Sequence, residues 1–462
     1  MVFTKDKGFY RELATLALPI ALASLVSYSI TLFDNMMIAP LGNTQTSAVY
    51  LSNQVALLLT MLSAAIEGTV LVLSSQLIGA SLMDKARRVA SLGILLALGL
   101  ALVFFVLSSI FSKLVLSILT DKAQLIEAGN GFLRLLGISF LFFAPSQAIA
   151  AALRCIKKAK IALFSSLFAL VLNVSLNFVL IYGKFGFSAM GIIGAGVATL
   201  SARIVEFSFL FIYAFFVDKE LKLRLFSIFK IDKSDIRQFF KIGAPIIATQ
   251  IVWSINSFFS SSLMGHQSEE GVVTGLSVAI ALYNLTYVVT NGTSGAVGVI
   301  TGRIVGKGDQ AEIEKMRGYS NSVQLIFVAL GLSTALLMQA TKLPFISLWG
   351  VSGAARGFAL AFINLLSVFV VGTAYQSASI GGIIKSAGDV GFVFKTESFF
   401  VFCVIIPFAL LATSFGASPI AVFAILKCDQ LLKCPVAFFK LKKFKFKKLK
   451  ILKDKAYLRA GR

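Results

Sequence analysis

An all-α fold that crosses a membrane twelve times is what this sequence predicts, and three observations carry that expectation. The chain of 462 residues is 57% hydrophobic and only 14% charged, with a mean hydropathy of +0.88. A soluble domain carries about 25% charged residues and cannot hide this much Leu, Ile, Val and Phe in its core, so lipid must serve as the solvent. The apolar residues also fall into stretches of about 20 or more, the length at which a helix crosses the hydrocarbon layer. Third, a carboxylate, Asp34, lies inside the first of these stretches. An acid at that depth is costly unless it faces an aqueous route and handles ions, protons or substrate.

The first span, Leu13 to Ile38, is kinked by Pro19 and holds Tyr28 and Asp34. Lys5, Lys7 and Arg11 precede it and no small-residue cleavage site follows, so it reads as a retained helix and not as a removed signal peptide. Span two, Ala48 to Ile78, carries Glu67 beside Gly68 at its middle, where it reads as a proton carrier, a contact for a cationic substrate or a structural acid. Spans three and four are Val89 to Phe111 and Phe132 to Leu153. Span five, Ile161 to Tyr182, places Asn173 and Asn177 four residues apart on one helix face. Span six, Met190 to Val217, holds Thr199, Arg203 and Glu206; the last two are three apart and read as a structural charge pair.

A polar, basic linker follows, Asp218 to Lys241. Span seven, Phe239 to Met264, is kinked by Pro245 and offers Asn256 and Ser257, while span eight, Val272 to Val305, holds Tyr283. Span nine is Asn321 to Ala340. Span ten, Phe358 to Ile384, supplies Asn364, Tyr375 and Gln376, and spans eleven and twelve are Phe392 to Ser414 and Ile420 to Phe439. Aromatic side chains such as Tyr28, Tyr283 and Tyr375 suit a protonated or quaternary amine through cation-π attraction, although most of the 12% aromatic content reads as lipid-facing or packing.

The formal net charge of +22 invites a nucleic-acid reading, but its distribution follows the membrane. With both termini in the cytoplasm, the large majority of Lys and Arg fall on cytoplasmic segments, as the positive-inside rule requires. Beyond Phe439, Lys440, Lys442, Lys443, Lys445, Lys447, Lys448 and Lys450 alternate with apolar residues, a pattern suited to an anionic lipid surface. No nucleic-acid partner is expected, because readers of nucleic acid present a soluble basic face. Cys155, Cys403, Cys428 and Cys434 show neither metal-ligand nor disulfide spacing, and His266 is the one histidine. No Walker-type phosphate cradle occurs, so direct ATP drive is not expected, and without His, Cys or paired-acid constellations neither is an enzyme active site nor a cofactor beyond a coupling ion.

Features recur between the halves at a nearly constant offset: Pro19 and Pro245 are 226 residues apart, Gly79 and Gly306 are 227 apart, and Arg154 and Lys385 each close a fourth span. The expected organisation is a six-helix lobe over residues 1–217, the linker over 218–241, a second six-helix lobe over 242–440 and a basic cytoplasmic tail over 441–462. An even number of spans per half gives parallel repeats, related by a pseudo-two-fold axis along the membrane normal.

The stretches "ALPIALASLVSYSITLFDNMMIAPLG", "LSNQ", "SSQLIGASLMDKARR" and "GIIGAGVATLSARIVEF", with the ending "LKCDQLLKCPVAFFKLKKFKF", resemble the multidrug and toxic compound extrusion (MATE) transporters of bacteria. The resemblance runs from about Leu16 to Lys447 and rests on the order and spacing of these stretches together. It implies a multi-pass monomer of the bacterial cytoplasmic membrane that exports cationic, amphipathic small molecules by alternating access, in exchange for H+ or Na+. It also maps the coupling-ion site onto Asp34, Asn173, Asn177 and Thr199. Many relatives carry an Asp where this chain has Asn177, and that missing charge favours H+ over Na+. Some relatives place further acids in spans seven and ten, where this chain offers only the neutral groups Asn256, Tyr375 and Gln376 for substrate contact. The alternative within the same superfamily is a lipid-linked oligosaccharide flippase, which needs a strongly cationic cavity; Arg203 is the basic residue read deep in a span.

Overall fold

A computed structural model describes residues 4–223, 231–267, 269, 271–349, 351 and 353–444. The middle of the linker, 224–230, and the tail from 445, with Lys445, Lys447, Lys448 and Lys450, lie outside the described residues. The helices are α1 (Lys7–Ile38), α2 (Asn43–Gly79), α3 (Met83–Ile110), α4 (Ala123–Cys155), α5 (Ala159–Tyr182), α6 (Ile192–Val217), α7 (Lys233–Gly265), α8 (Val272–Lys307), α9 (Gln310–Leu348), α10 (Gly353–Ile384) and α11 (Val390–Ser414). These eleven are long and apolar enough to cross a membrane. A short helix, Ser112–Leu119, joins α3 to α4.

The twelfth crossing differs from the uninterrupted span expected over Ile420 to Phe439. It is wound as two stretches, α12 (Pro419–Lys427) and α13 (Asp429–Lys442), joined at Cys428, where the dihedrals stay helical (φ −61°, ψ −27°) and the N–H bonds three residues back, to Ile425, at 3.2 Å. Asp429 stands in the first turn of α13, where a carboxylate complements the helix dipole. Ser418 caps α12 by accepting from the Ala421 N–H at 3.4 Å, and Asp309 caps α9 by accepting from Ala311 at 3.1 Å.

The described chain folds into two compact units, residues 22–243 and residues 4–21 with 244–444. Two helices therefore change unit along their length: α1 at residue 21, two positions after Pro19, and α7 at residue 243, two positions before Pro245. Proline removes one backbone hydrogen bond and bends a helix at its own position, so each handover falls where the sequence weakens the helix.

In the first unit α2 packs along α4, and α5 along α6. Small residues allow this: a Cβ on Gly194 of α6 would lie 2.7 Å from the Leu180 carbonyl carbon of α5, the close approach by which membrane helices gain van der Waals contact. The second unit has a core of Val272, Leu282, Met338, Phe362, Val401, Phe423 and their neighbours. A Cβ on Gly275 would lie 2.7 Å from the Ala359 nitrogen, holding α8 against α10. Large apolar side chains remain exposed on crossing helices, among them Phe168, Phe216, Leu336 and Phe399. Acyl chains are the natural solvent for them.

The end of α6 is tied down by charge. Asp218, buried, accepts from Lys158 at 2.6 Å and from the backbone N–H groups of Leu221 at 2.7 Å and Lys222 at 3.1 Å. Arg87 donates to the Leu221 carbonyl at 2.7 Å, and Arg88 pairs with the buried Asp235 at 2.9 Å. Burial pushes the Asp218 carboxyl up, but the Lys158 ammonium and the two N–H groups outweigh it and hold the carboxyl below its ordinary value. Because the folded-state value is lowered, the carboxylate contributes stability that is fully present above the unfolded value, near pH 4, and is lost as pH falls below it. The stability difference between wild type and Asp218→Asn is therefore expected to be constant from pH 7 to about 5 and to shrink below about pH 4. Thermal unfolding of the detergent-purified protein across that range measures it; a difference independent of pH would contradict the assignment.

Candidate functional site

The carboxylate that singles out the first span lies one turn before the end of α1, in the first unit. Tyr182 at the end of α5 donates to the Met37 carbonyl at 2.8 Å and so fixes the end of α1 beside α5. Asp34 thereby meets Asn177, which donates to its Oδ1 at 2.5 Å. Asn177 also donates to Asn173 Oδ1 at 3.3 Å, one turn earlier on the same face. Both asparagines are fully buried. The tight α5–α6 contact at Gly194 brings Thr199 alongside, and Asn173 and Thr199 both lie near enough to act on Asp34. The four residues expected to share a site are together.

The buried Asn177 Oδ1 and Asn173 Nδ2 have no hydrogen-bond partner among the described residues. A buried acceptor and a buried donor left open are costly, and they can be answered by a ligand or by rotation of the amides. An ionised Asp34 can only accept, which orients the Asn177 N–H toward it. A protonated Asp34 can donate, and the open Asn177 Oδ1 is then the acceptor within the same group.

Arg203 of α6 is near enough to act on Asp34 electrostatically. Its guanidinium is engaged, however, by Glu206 at 2.7 Å and lies over the Phe143 ring at 4.6 Å. Ser166 donates to the other oxygen of Glu206 at 3.0 Å, so the buried carboxylate is satisfied on both sides. Glu67 of α2 is not open either: Arg154 at the end of α4 donates to it in a mostly buried ion pair. Tyr28 is half-buried on α1.

The remaining residues expected to contact substrate belong to the second unit. Tyr283 stacks on Tyr287 with ring centroids 5.4 Å apart and donates to Thr373 at 3.3 Å. Tyr375 donates to Gln324 at 2.5 Å, and Gln376 donates to the carbonyls of Asp429 at 3.2 Å and Gln430 at 2.5 Å. Asn256 has a buried Oδ1 without a partner among the described residues. Gln376 thus ties α10 to the first turn of α13. Beside that turn lies a cluster that the sequence alone did not reveal: Lys433 bridges Asp429 at 2.7 Å and Glu397 at 2.9 Å. Its signal was the i,i+4 pair Asp429 and Lys433 within an apolar stretch.

Comparison with known proteins gives this arrangement a family. The chain is 25% identical over 369 residues to the "Uncharacterized transporter YisQ" of Bacillus subtilis, covering 78% of each protein. It is 27% identical over 314 residues to the "Multidrug resistance protein NorM" of Photobacterium profundum, covering 65% of each. Its fold is similar to the outward-facing conformation of a multidrug resistance MATE family transporter of the MOP superfamily, with a TM-score of 0.82 at 20% identity over 96% of this chain and 98% of that one. The MatE family model matches twice, over residues 19–179 and 245–415. Both matches begin at the proline where a helix changes unit, and together they take in most of the chain, which therefore belongs to the MatE family of membrane transporters.

Proposed function

We propose that this protein exports cationic, amphipathic small molecules in exchange for protons, with Asp34 as the group that takes up and releases the coupling proton. The observation that carries the reading is the Asp34 contact to Asn177, backed by the open Asn177 Oδ1. That amide can donate to the carboxylate or accept from the acid, so both protonation states of Asp34 find a partner in place. Na+ is the weaker candidate. A hard cation prefers several oxygens and more than one formal negative charge, whereas this group holds one carboxylate and two amides, with a cation, Arg203, close by.

The name of one relative, a multidrug resistance protein, supports a drug-like cation as cargo. Tyr28 on the same helix and the stacked Tyr283 and Tyr287 are aromatic faces suited to such a cation. Export of an oligosaccharide pyrophosphate is less well supported, because Arg203 is spoken for by Glu206 and Lys433 lies between two carboxylates. The distribution of Lys and Arg supports both termini on the cytoplasmic side, and the family supports a bacterial inner membrane.

The test is ethidium movement in inverted vesicles under separately imposed gradients. A pH gradient without Na+ is expected to drive it, and a Na+ gradient at constant pH is not. Transport driven by Na+ alone and indifferent to pH would overturn the proton assignment while leaving export intact.

A further inference from the structure

The second unit holds three charged side chains in mutual contact that the coupling reading does not use. Lys433 Nζ lies 2.7 Å from Asp429 Oδ2 and 2.9 Å from Glu397 Oε2, with side-chain exposures of 1%, 2% and 17% in that order. We propose that Asp429, Glu397 and Lys433 form a second proton-exchange site, in which one excess carboxylate charge is taken up and released as a proton.

Charge balance comes first. Two carboxylates share one ammonium, and the second negative charge has no counter-ion in contact. The Asp429 Oδ1 is buried and without a hydrogen-bond partner among the described residues. A buried carboxylate oxygen left without a donor is costly, and a proton carried there answers that cost. A metal cation is excluded on geometric grounds, because the Lys433 ammonium already occupies the place between the carboxylates where such an ion would bridge them.

The surrounding backbone is irregular at three points. The twelfth crossing tightens at Cys428, directly before Asp429: its dihedrals stay helical, but its N–H bonds to the Ile425 carbonyl, three residues back, at 3.2 Å. In α10 the turns from Ser377 to Ile384, directly after Gln376, are wound as a π-helix. The turns from Phe400 to Ile405 of α11, just after Glu397, are wound in the same way. Wide turns of this kind cost hydrogen-bond geometry and recur where helices carry ligands. A relay leads away from the cluster: Gln430 donates to Asp429 Oδ2 at 3.0 Å, Thr373 to Gln430 Oε1 at 3.1 Å and Tyr283 to Thr373 at 3.3 Å. It ends at the stacked tyrosine pair. Gly372 makes this possible, since a Cβ there would collide with the Gln430 carbonyl.

Other titratable groups also face the carboxyls. From α12 and its junction with α13 come Lys427 and Cys428, and from α13 comes Cys434; all three act on Asp429 electrostatically. Tyr283 of α8 is near enough to act on Asp429 electrostatically, and Tyr287 of the same helix on Glu397. Lys427 makes no ion pair among the described residues. Lys440 pairs with Asp389 at 2.7 Å farther along α13.

The test uses the full chain in detergent, carrying Asp34→Asn so that its outcome does not depend on the role of Asp34. Dicyclohexylcarbodiimide modifies protonated carboxyl groups in apolar surroundings, and mass spectrometry locates the adduct. Labelling of Asp429 or Glu397 is expected at low pH and to decline as pH rises, with no protection by Na+. Lys433→Met is expected to raise the half-labelling pH by about one unit or more, because the balancing charge is gone, and Lys433→Arg to leave it near the starting value. Three outcomes would each overturn the proposal: no adduct on either carboxyl at any pH, protection by Na+ at constant pH, or a half-labelling pH that Lys433→Met does not move.

Discussion

Asp34→Asn is expected to bring proton-driven ethidium export down to the level of vesicles without the protein, while the variant inserts and unfolds at the wild-type temperature. The substitution keeps the shape of the side chain and its place beside Asn177. It also keeps the buried pair Asn173 and Asn177 surrounded by hydrogen-bonding groups. What it removes is the change of charge. A neutral amide cannot alternate between a form that only accepts and one that donates a proton, so a cycle driven by protonation has nothing to act on. The local energetics are mild, because a buried negative charge is lost and no partner is left charged in contact: Arg203 stays paired with Glu206 at 2.7 Å. Export at the wild-type rate from a correctly inserted variant would sink the assignment. Asn177→Leu should be less severe for export and more severe for stability, since it leaves Asp34 without its nearest donor.

Much of this site was legible in the sequence, for physical reasons. An acid inside an apolar stretch announces itself by cost, and two asparagines four apart share a helix face whatever the fold. The 143-residue separation between Asp34 and Asn177 is another matter. No periodicity reports which helices are neighbours, and only the resemblance to a family joined α1 to α5. The cluster in the second unit was hidden differently. Cys428 is no helix breaker by composition, so the run from Ile420 reads as one span, and Asp429 and Lys433 merge with the basic stretch that begins at Lys440. Glu397 lies 36 residues away from Lys433 on another helix. The exchange of α1 and α7 between the units was equally invisible, because hydropathy runs unbroken through Pro19 and Pro245. Local cost and periodicity can be read along a chain; partners across helices cannot.

Glu67 shows where reading one side chain alone falls short, and Arg154→Met is the substitution that exposes it. In the sequence Glu67 is an isolated mid-span acid, but the fold sets Arg154 of α4 against it, with exposures of 22% and 14%. Removing the guanidinium leaves a mostly buried carboxylate without its partner. For fully buried pairs such a loss costs about 3–5 kcal/mol; with this residual exposure roughly 2 kcal/mol is expected, because water can reach the carboxylate. Arg154→Met should therefore unfold at a lower temperature in detergent and inactivate faster on storage. The double variant Glu67→Gln/Arg154→Met removes both charges and should regain most of that loss, since an apolar side chain beside a neutral amide leaves no uncompensated ion. The two readings of Glu67 then separate by function. A structural pair predicts that the double variant exports ethidium at close to the wild-type rate once its stability is restored. A proton carrier predicts a stable double variant that does not export, and Glu67→Gln alone would then lose transport without losing stability. The direct ion pair favours the first outcome, because the Arg154 guanidinium already occupies the carboxylate oxygen that a carrier would have to offer to a proton.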